Sequence, residues 1–345
     1  IRAGWGETGQ QDISGSVGFY PSIPLLEVGS PNSQFIEGVT LYNAKEFNPD
    51  LTWEKTTTYN LGFDFDFFTN SFLTGSFDLF KRETTDLLVL TNVPPGQALS
   101  DRLIQNVGST DSEGFELNLN VNPVQSESVN LSVNGNISYN LTEVTDLDGA
   151  EQIPAGGNLP IGTGNFLLRH ALGEQIGSAW VLKQVYDVDG KPVNGSFVDL
   201  NGDGSITDDD RYYRAIQPNW TFGFGLNMNV KNWDFSASFR GQLDGEIYNG
   251  RKLTNGVIDN VVAQDGLSLN NTLDFYNGAA DIEIADIADP IQYSDYFLEN
   301  SSFLRCENIV IGHTLNELFK DMSFKVYFAV NNPFIVTNYS GQDPE

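Results

Sequence analysis

Residues 53–82, WEKTTTYNLGFDFDFFTNSFLTGSFDLFKR, constrain the fold more than any other stretch. From Tyr59 to Phe67 every odd residue is apolar: Tyr59, Leu61, Phe63, Phe65 and Phe67. The residues between them are Asn60, Gly62, Asp64 and Asp66. A strict period of two puts aromatics on one face of a strand and carboxylates on the other. The turn Phe68-Thr69-Asn70-Ser71 follows, and a second strand returns through Phe77 and Leu79. About 15 residues precede the turn, roughly 50 Å at ~3.3 Å each, far beyond the ~5–6 residues of an ordinary sandwich strand. A long hairpin with one greasy and one acidic face predicts a transmembrane β-barrel, lipid outside and a watery lumen inside.

The same alternation recurs along the chain. Residues 1–7 read as a strand, and a Gly-, Pro- and Ser-rich stretch separates them from the hairpin. Residues 114–122 alternate Phe115, Leu117, Leu119 and Val121 with Glu116, Asn118, Asn120 and Asn122. Residues 129–141 set Val, Leu, Val, Gly, Ile, Tyr and Leu against Asn130, Ser132, Asn134, Asn136, Ser138 and Asn140. Residues 220–230 and 233–241 form a hairpin across Lys231-Asn232. Residues 303–314 and 324–330 form the last, with a short helical turn expected over 315–320. Between these lie a loop at 142–218 and an acidic one near 245–300, with weak helical patches at 282–287. Nine strands thus alternate between short turns on one end and long loops on the other, the outer-membrane barrel arrangement. Phe67, Phe68, Phe72 and Trp233 sit beside short turns, where a periplasmic aromatic girdle belongs. Phe63, Phe65, Leu131, Val133, Phe222 and Phe224 are expected to face lipid, and Asp64, Asp66, Asn134 and Asn136 the lumen. The competing architecture is a soluble β-sandwich acting as a calcium-dependent extracellular binding or adhesion module.

Charge narrows the function. Lys and Arg number 18 against 46 Asp and Glu, a net charge of -28, which excludes the basic footprint that nucleic-acid binding needs. One cysteine excludes a disulfide framework and a cysteine-rich metal site, and Cys306 reads as a buried small hydrophobe. No apolar run is long enough for a transmembrane helix. His170 and His313 are the only histidines and are far apart, so neither a triad nor a zinc set is expected. His313, at a strand end, reads as a lumen or interface residue. No catalytic set emerges, and an enzyme is not expected.

One motif carries chemistry. DLNGDGSITDDD, from Asp199 to Asp210, matches the twelve-residue calcium loop. Asp199, Asn201 and Asp203 offer side-chain oxygens at positions one, three and five, and Gly204 allows the sharp turn. The Ser205 carbonyl and the Asp210 carboxylate complete an all-oxygen set that suits Ca2+ in a structural role. Ile206 is expected to pin the loop to its neighbours. Asp187-Val-Asp189-Gly190 is a weaker second candidate. Loop aromatics Tyr20, Phe35, Tyr42, Tyr248 and Tyr276 could stack on sugar rings or pack the loops; no substrate-binding residue is assigned.

NPDLTWEKTTTYNLGFDF, QNVGSTDSEGFELNLN, DLNGDGSITDDD, FLRCENIVIGHTL and NPFIVTNYSGQDPE, in that order, resemble successive blocks of the SusC-like TonB-dependent transporters. The resemblance implies a bacterial outer-membrane barrel of the Bacteroidota that imports oligosaccharides or oligopeptides. Its implied partners are a SusD-like surface lipoprotein as lid and TonB as energy source. It implies a barrel of about 22 strands with an N-terminal plug. Residues 1–345 are then expected to be its C-terminal portion, about strands 13 to 21, with plug, N-terminal parts and closing strand outside the sequence. Cys306 departs from the pattern, standing where an aliphatic residue is usual.

Overall fold

A computed structural model of the chain describes residues 1–10, 20–29, 42–44, 47–92, 102–159, 166–255, 289–319 and 322–344. Nine strands form one antiparallel sheet in sequence order. They are β1 (Arg2–Gly9), β2 (Lys55–Phe67), β3 (Leu73–Thr85), β4 (Ser109–Gln125) and β5 (Val129–Asp146). β6 (Trp220–Val230), β7 (Trp233–Leu243), β8 (Phe303–Phe319) and β9 (Met322–Thr337) complete it. These are the nine strands expected from alternation, several of them longer: β5 runs 18 residues, through to Asp146.

Two expectations fail. The helical turn expected over 315–320 is not seen in its described part: Leu315 to Phe319 stay in β8, and the register shifts by a bulge between them. Leu315 pairs with Phe324 and Phe319 with Met322, so cross-strand bonding wins over a helical segment too short to repay nucleation. The sandwich alternative also fails: a sandwich buries the apolar faces of its sheets, whereas Phe67, Phe324 and Phe328 of this nine-stranded sheet are exposed.

Register converts the alternation into two faces, since directly opposed residues share a side. On one face Phe63 pairs with Phe77, Phe77 with Leu117, Leu117 with Ile137, and Ile137 with Phe222. Val133 pairs with Leu226 and Leu131 with Met228 on that same face. On the other face Asp64 pairs with Ser76, Ser76 with Asn118, Asn118 with Asn136, and Asn136 with Gly223. The apolar side chains are left uncovered: Phe67 is 53% exposed and Phe328 67%. A contiguous apolar face of this extent needs a non-aqueous partner.

The face has aromatic borders. At the short-turn end Phe67, Phe68 and Phe72 form a ring cluster, and Trp233 lies against His313 at 4.4 Å between centroids. At the other end Phe115, Tyr139 and Trp220 cluster, with Tyr139 and Trp220 4.9 Å apart. From Val129 to Tyr139 is about 33 Å along β5, or about 25 Å for a ~40° tilt, the height of an outer-membrane hydrocarbon band. Just beyond this border the apolar pattern ends in charge, with Lys81 bridging Glu83 at 2.8 Å and Asp111 at 3.3 Å.

The connection between β5 and β6 is not an open loop. Gln152–Asn158, Phe166–Ala171, Ser178–Leu182 and Arg211–Arg214 form a four-stranded sheet of their own. Its Leu167, Val181 and Leu182, with Phe197 from the same connection, bury a core with Leu253, Ile291 and Phe297 from the connection between β7 and β8. The two longest connections therefore share one core and form a rim body on the end opposite the short turns. The helical patches expected at 282–287 lie outside the described residues.

Candidate functional site

Two regions place chemistry where a ligand or partner would meet it: the polar face of the nine-stranded sheet, and the rim. The polar face is built from short neutral side chains that bond across strands. Ser138 and Thr221 hydroxyls lie 2.6 Å apart, Ser112 and Thr142 2.8 Å, and Thr56 and Thr84 3.0 Å. Several charges on this face occur as pairs. Arg2 bridges Asp64 at 3.1 Å and Asp78 at 3.0 Å, and Lys325 bridges Asp234 at 2.8 Å. Arg240 pairs with Glu307, the residue bulged out of β8, and Arg305 with Asp343.

The sequence pattern missed one place on this face. β3 breaks its alternation at two successive residues: Phe80 falls on the polar side and Lys81 on the apolar side. Phe80 pairs with Gly114, where an added Cβ would lie 2.7 Å from the ring's Cζ, so the ring lies across the glycine. The Arg82 guanidinium rests over the Phe80 ring, 4.6 Å from its centroid. The double break in period was the available signal.

In the rim, the two long connections are tied by polar contacts around Asp295. The Gln184 amide donates to Asp295 Oδ1 at 2.9 Å and the Tyr212 phenol to Oδ2 at 2.6 Å. Burial, with that bond to a carboxylate, pushes Tyr212 up to about 12. Leu182 N–H donates to the Tyr293 carbonyl at 2.8 Å, and the Ser294 hydroxyl to Gln184 Oε1 at 2.7 Å. Arg211 stacks between Trp180 and Tyr293, at 4.6 and 3.5 Å from the ring centroids, and bridges Asp208 at 2.8 Å.

Arg211 opens directly from the acidic loop. Within that loop Asp199 accepts from Gly202 N–H at 2.6 Å and from Gly204 N–H at 2.8 Å, one oxygen each. Asn201 Oδ1 accepts from Asp203 N–H at 2.9 Å and Asp203 Oδ1 from Ser205 N–H at 2.8 Å. Asp210 is fully buried and accepts from Leu200, Asn201 and Thr207 amides at 2.7, 3.2 and 2.9 Å. The Thr207 amide foremost, with those of Asn201 and Leu200, holds the Asp210 carboxyl below the usual carboxylate range against its burial. The loop is therefore closed by its own amides, with side-chain oxygens of Asp199, Asn201, Asp203 and Asp210 all accepting from backbone N–H groups. Asn201 Nδ2 also donates to Asp203 Oδ2 at 3.1 Å, drawing those two side chains sideways. Among the described residues no three acidic, histidine or cysteine side chains converge as a metal-ligating group. Ile206 is 41% exposed and does not pin the loop as expected; burial of Asp210 and the Arg211 stack anchor it instead.

The remaining candidates are scattered over the chain. Asp187 Oδ1 accepts from Asp189 and Lys191 amides at 2.9 and 2.7 Å, closing a turn. His170 Nδ1 accepts from Gly177 N–H at 3.2 Å, and burial lowers its pKa, favouring the neutral ring. His313 lies on the apolar face beside Trp233, at the interface end. Cys306 is fully buried, paired with Phe239 and Phe334. Tyr248 packs the rim core and donates to the Gln292 carbonyl at 2.7 Å, whereas Tyr20 and Tyr42 are exposed. Phe35 and Tyr276 lie outside the described residues.

Comparison with known proteins agrees with this geometry. Residues 1–249 match the family model described as TonB dependent receptor-like, beta-barrel. The chain is 36% identical, over its full length and 35% of the relative's, to the TonB-dependent receptor SusC of Bacteroides thetaiotaomicron. It is 28% identical, over its full length and 35% of the relative's, to TonB-dependent receptor P3 of Formosa agariphila. The chain thus spans about a third of the length of these curated relatives. Among solved structures, the RagAB peptide transporter superposes with a TM-score of 0.76 at 25% identity, covering 99% of this chain and 38% of that one.

Proposed function

Since the chain belongs to the TonB-dependent receptor-like β-barrel family of the outer membrane, we propose that the whole protein imports oligosaccharides or oligopeptides in partnership with a SusD-like surface lipoprotein. Import runs along the polar face as lumen wall, with TonB supplying energy. The observation that carries the lipoprotein partnership is the rim. Connecting adjacent strands needs only a few residues, yet the two longest connections bury a shared core above the wall. A rigid raised rim is a seat for a partner, and the likeness to the RagAB peptide transporter supports a peptide among the cargoes.

Replacing residues 244–300 by a short linker in the full-length transporter tests this. Lipoprotein co-purification and uptake should be lost while the barrel remains inserted in the membrane. Undiminished uptake by the shortened protein sinks the reading.

The acidic loop belongs to the same design. Calcium held by Asp199, Asn201, Asp203, the Ser205 carbonyl and Asp210 would displace the Asn201–Asp203 bond and draw the carboxylates inward. It would offset their mutual repulsion and fix the loop from which Arg211 enters the rim. No base or nucleophile accompanies these oxygens, so the ion's role is structural.

A further inference from the structure

Among the described residues the polar face keeps its cations neutralised, with one exception that matters for what passes along it. Arg2, Lys325, Arg240 and Arg305 each hold a carboxylate. Arg82 is exposed, and among the described residues no carboxylate reaches it; it rests on the Phe80 ring instead. Its same-face neighbours are neutral: Thr58 and Ser112 oppose it directly, and Ser112 is bonded to Thr142. One step along the strands lie Asn60, Gly114 and Asn140, also neutral. Asp111 and Glu113, which flank Ser112 in the partner strand, point to the opposite face.

In a chain of net charge -28, an unpaired guanidinium among hydroxyls is a local attractive spot in an otherwise repulsive lumen for anions. The aromatic ring beneath it limits the rotamers of a long side chain, so less entropy is lost when the fork engages a ligand. Gly114 leaves room for the device, because an added Cβ there would meet both the Tyr139 carbonyl and the Phe80 ring. A planar fork with free donors matches a carboxylate bidentately.

We propose that Phe80 and Arg82 form a substrate subsite on the lumen wall that takes a carboxylate of the transported oligomer. The proposal rests on the import reading and narrows its cargo to oligomers bearing a carboxylate. A peptide C-terminus and a uronate residue offer the same group, and the test separates them.

The experiment uses the full-length transporter purified with its lipoprotein. Dissociation constants are measured for two pairs: a short peptide with a free or an amidated C-terminus, and an oligouronate with free or methyl-esterified carboxyls. The unmodified protein should favour the free acid of one pair by roughly tenfold, and that pair identifies the source. Arg82→Gln should bring this ratio close to one, and Arg82→Lys should restore part of it. Equal binding of acid and blocked forms by the unmodified protein overturns the subsite while leaving import intact. An unchanged ratio in Arg82→Gln does the same. If no member of either pair binds or is taken up, the import reading falls and the subsite with it.

Discussion

The Tyr212 phenol donates to Asp295 Oδ2 at 2.6 Å, joining two connections 83 residues apart in sequence. Asp295 also receives the Gln184 amide, so one carboxylate gathers three segments of the rim. This is why the rim behaves as one body and not as separate loops. Removing the hydroxyl leaves a half-buried carboxylate short of a partner.

Tyr212→Phe should therefore cost on the order of 1–3 kcal/mol of local stability, the range for losing a bond to a charged group. Hydrogen exchange at residues 178–184 and 291–297 is expected to quicken together. Faster exchange in only one of the two segments would show that they are not coupled through Asp295.

The membrane face makes a sharper test than the rim. In β5, Val133 lies on the apolar side near the middle of the band and Asn134 on the polar side. Arginine at Val133 should cost about 2–4 kcal/mol in folding into lipid, and arginine at Asn134 much less. Leu131 lies nearer the short turn, where the penalty should be smaller. Refolding titrations into lipid vesicles measure all three; equal costs at Val133 and Asn134 would mean the apolar face does not meet lipid.

The alternation made the faces of the sheet legible because a period of two is a local property, visible in nine residues from Tyr59 to Phe67. Phe80 and Lys81 were visible too, as a break, but their meaning needed the register that lays Phe80 over Gly114. The rim was not legible. Leu167, Val181, Phe197 and Leu253 follow no common period, and they meet only because chains far apart in sequence fold onto each other. The spacing singled out the acidic loop, and in the structure its carboxylates accept from its own amides. Its anchoring through Arg211, and not through Ile206, depends on Trp180 and Tyr293, which no local pattern announces.

The proposed calcium site predicts a dependence on the ion. Asp203→Ala should raise protease sensitivity across residues 199–214 without altering barrel insertion. Chelation of the unmodified protein should reproduce the change, and added calcium should reverse it. If neither treatment alters cleavage, the loop is an acidic turn held by its own amides.

Acid should loosen the rim through Asp210. Its folded-state pKa is depressed, chiefly by the Thr207 amide and then by those of Asn201 and Leu200. A depressed carboxylate contributes stability above its unfolded pKa of about 3.9 and loses it as pH falls through the folded value. Protection of residues 199–214 should thus change little through Asp210 between pH 7 and pH 5 and fall only below about pH 4. Asp210→Asn keeps the size of the side chain but replaces one accepting oxygen with an NH2 that faces a backbone N–H. At neutral pH this variant should be less protected than the unmodified protein. The gap between the two should narrow as the pH drops below 4, because protonation removes from Asp210 what the substitution has already removed. Chelator present throughout keeps any bound cation from contributing to the gap. A difference that stays constant from pH 7 to pH 3 would mean that the Asp210 charge does not hold the loop.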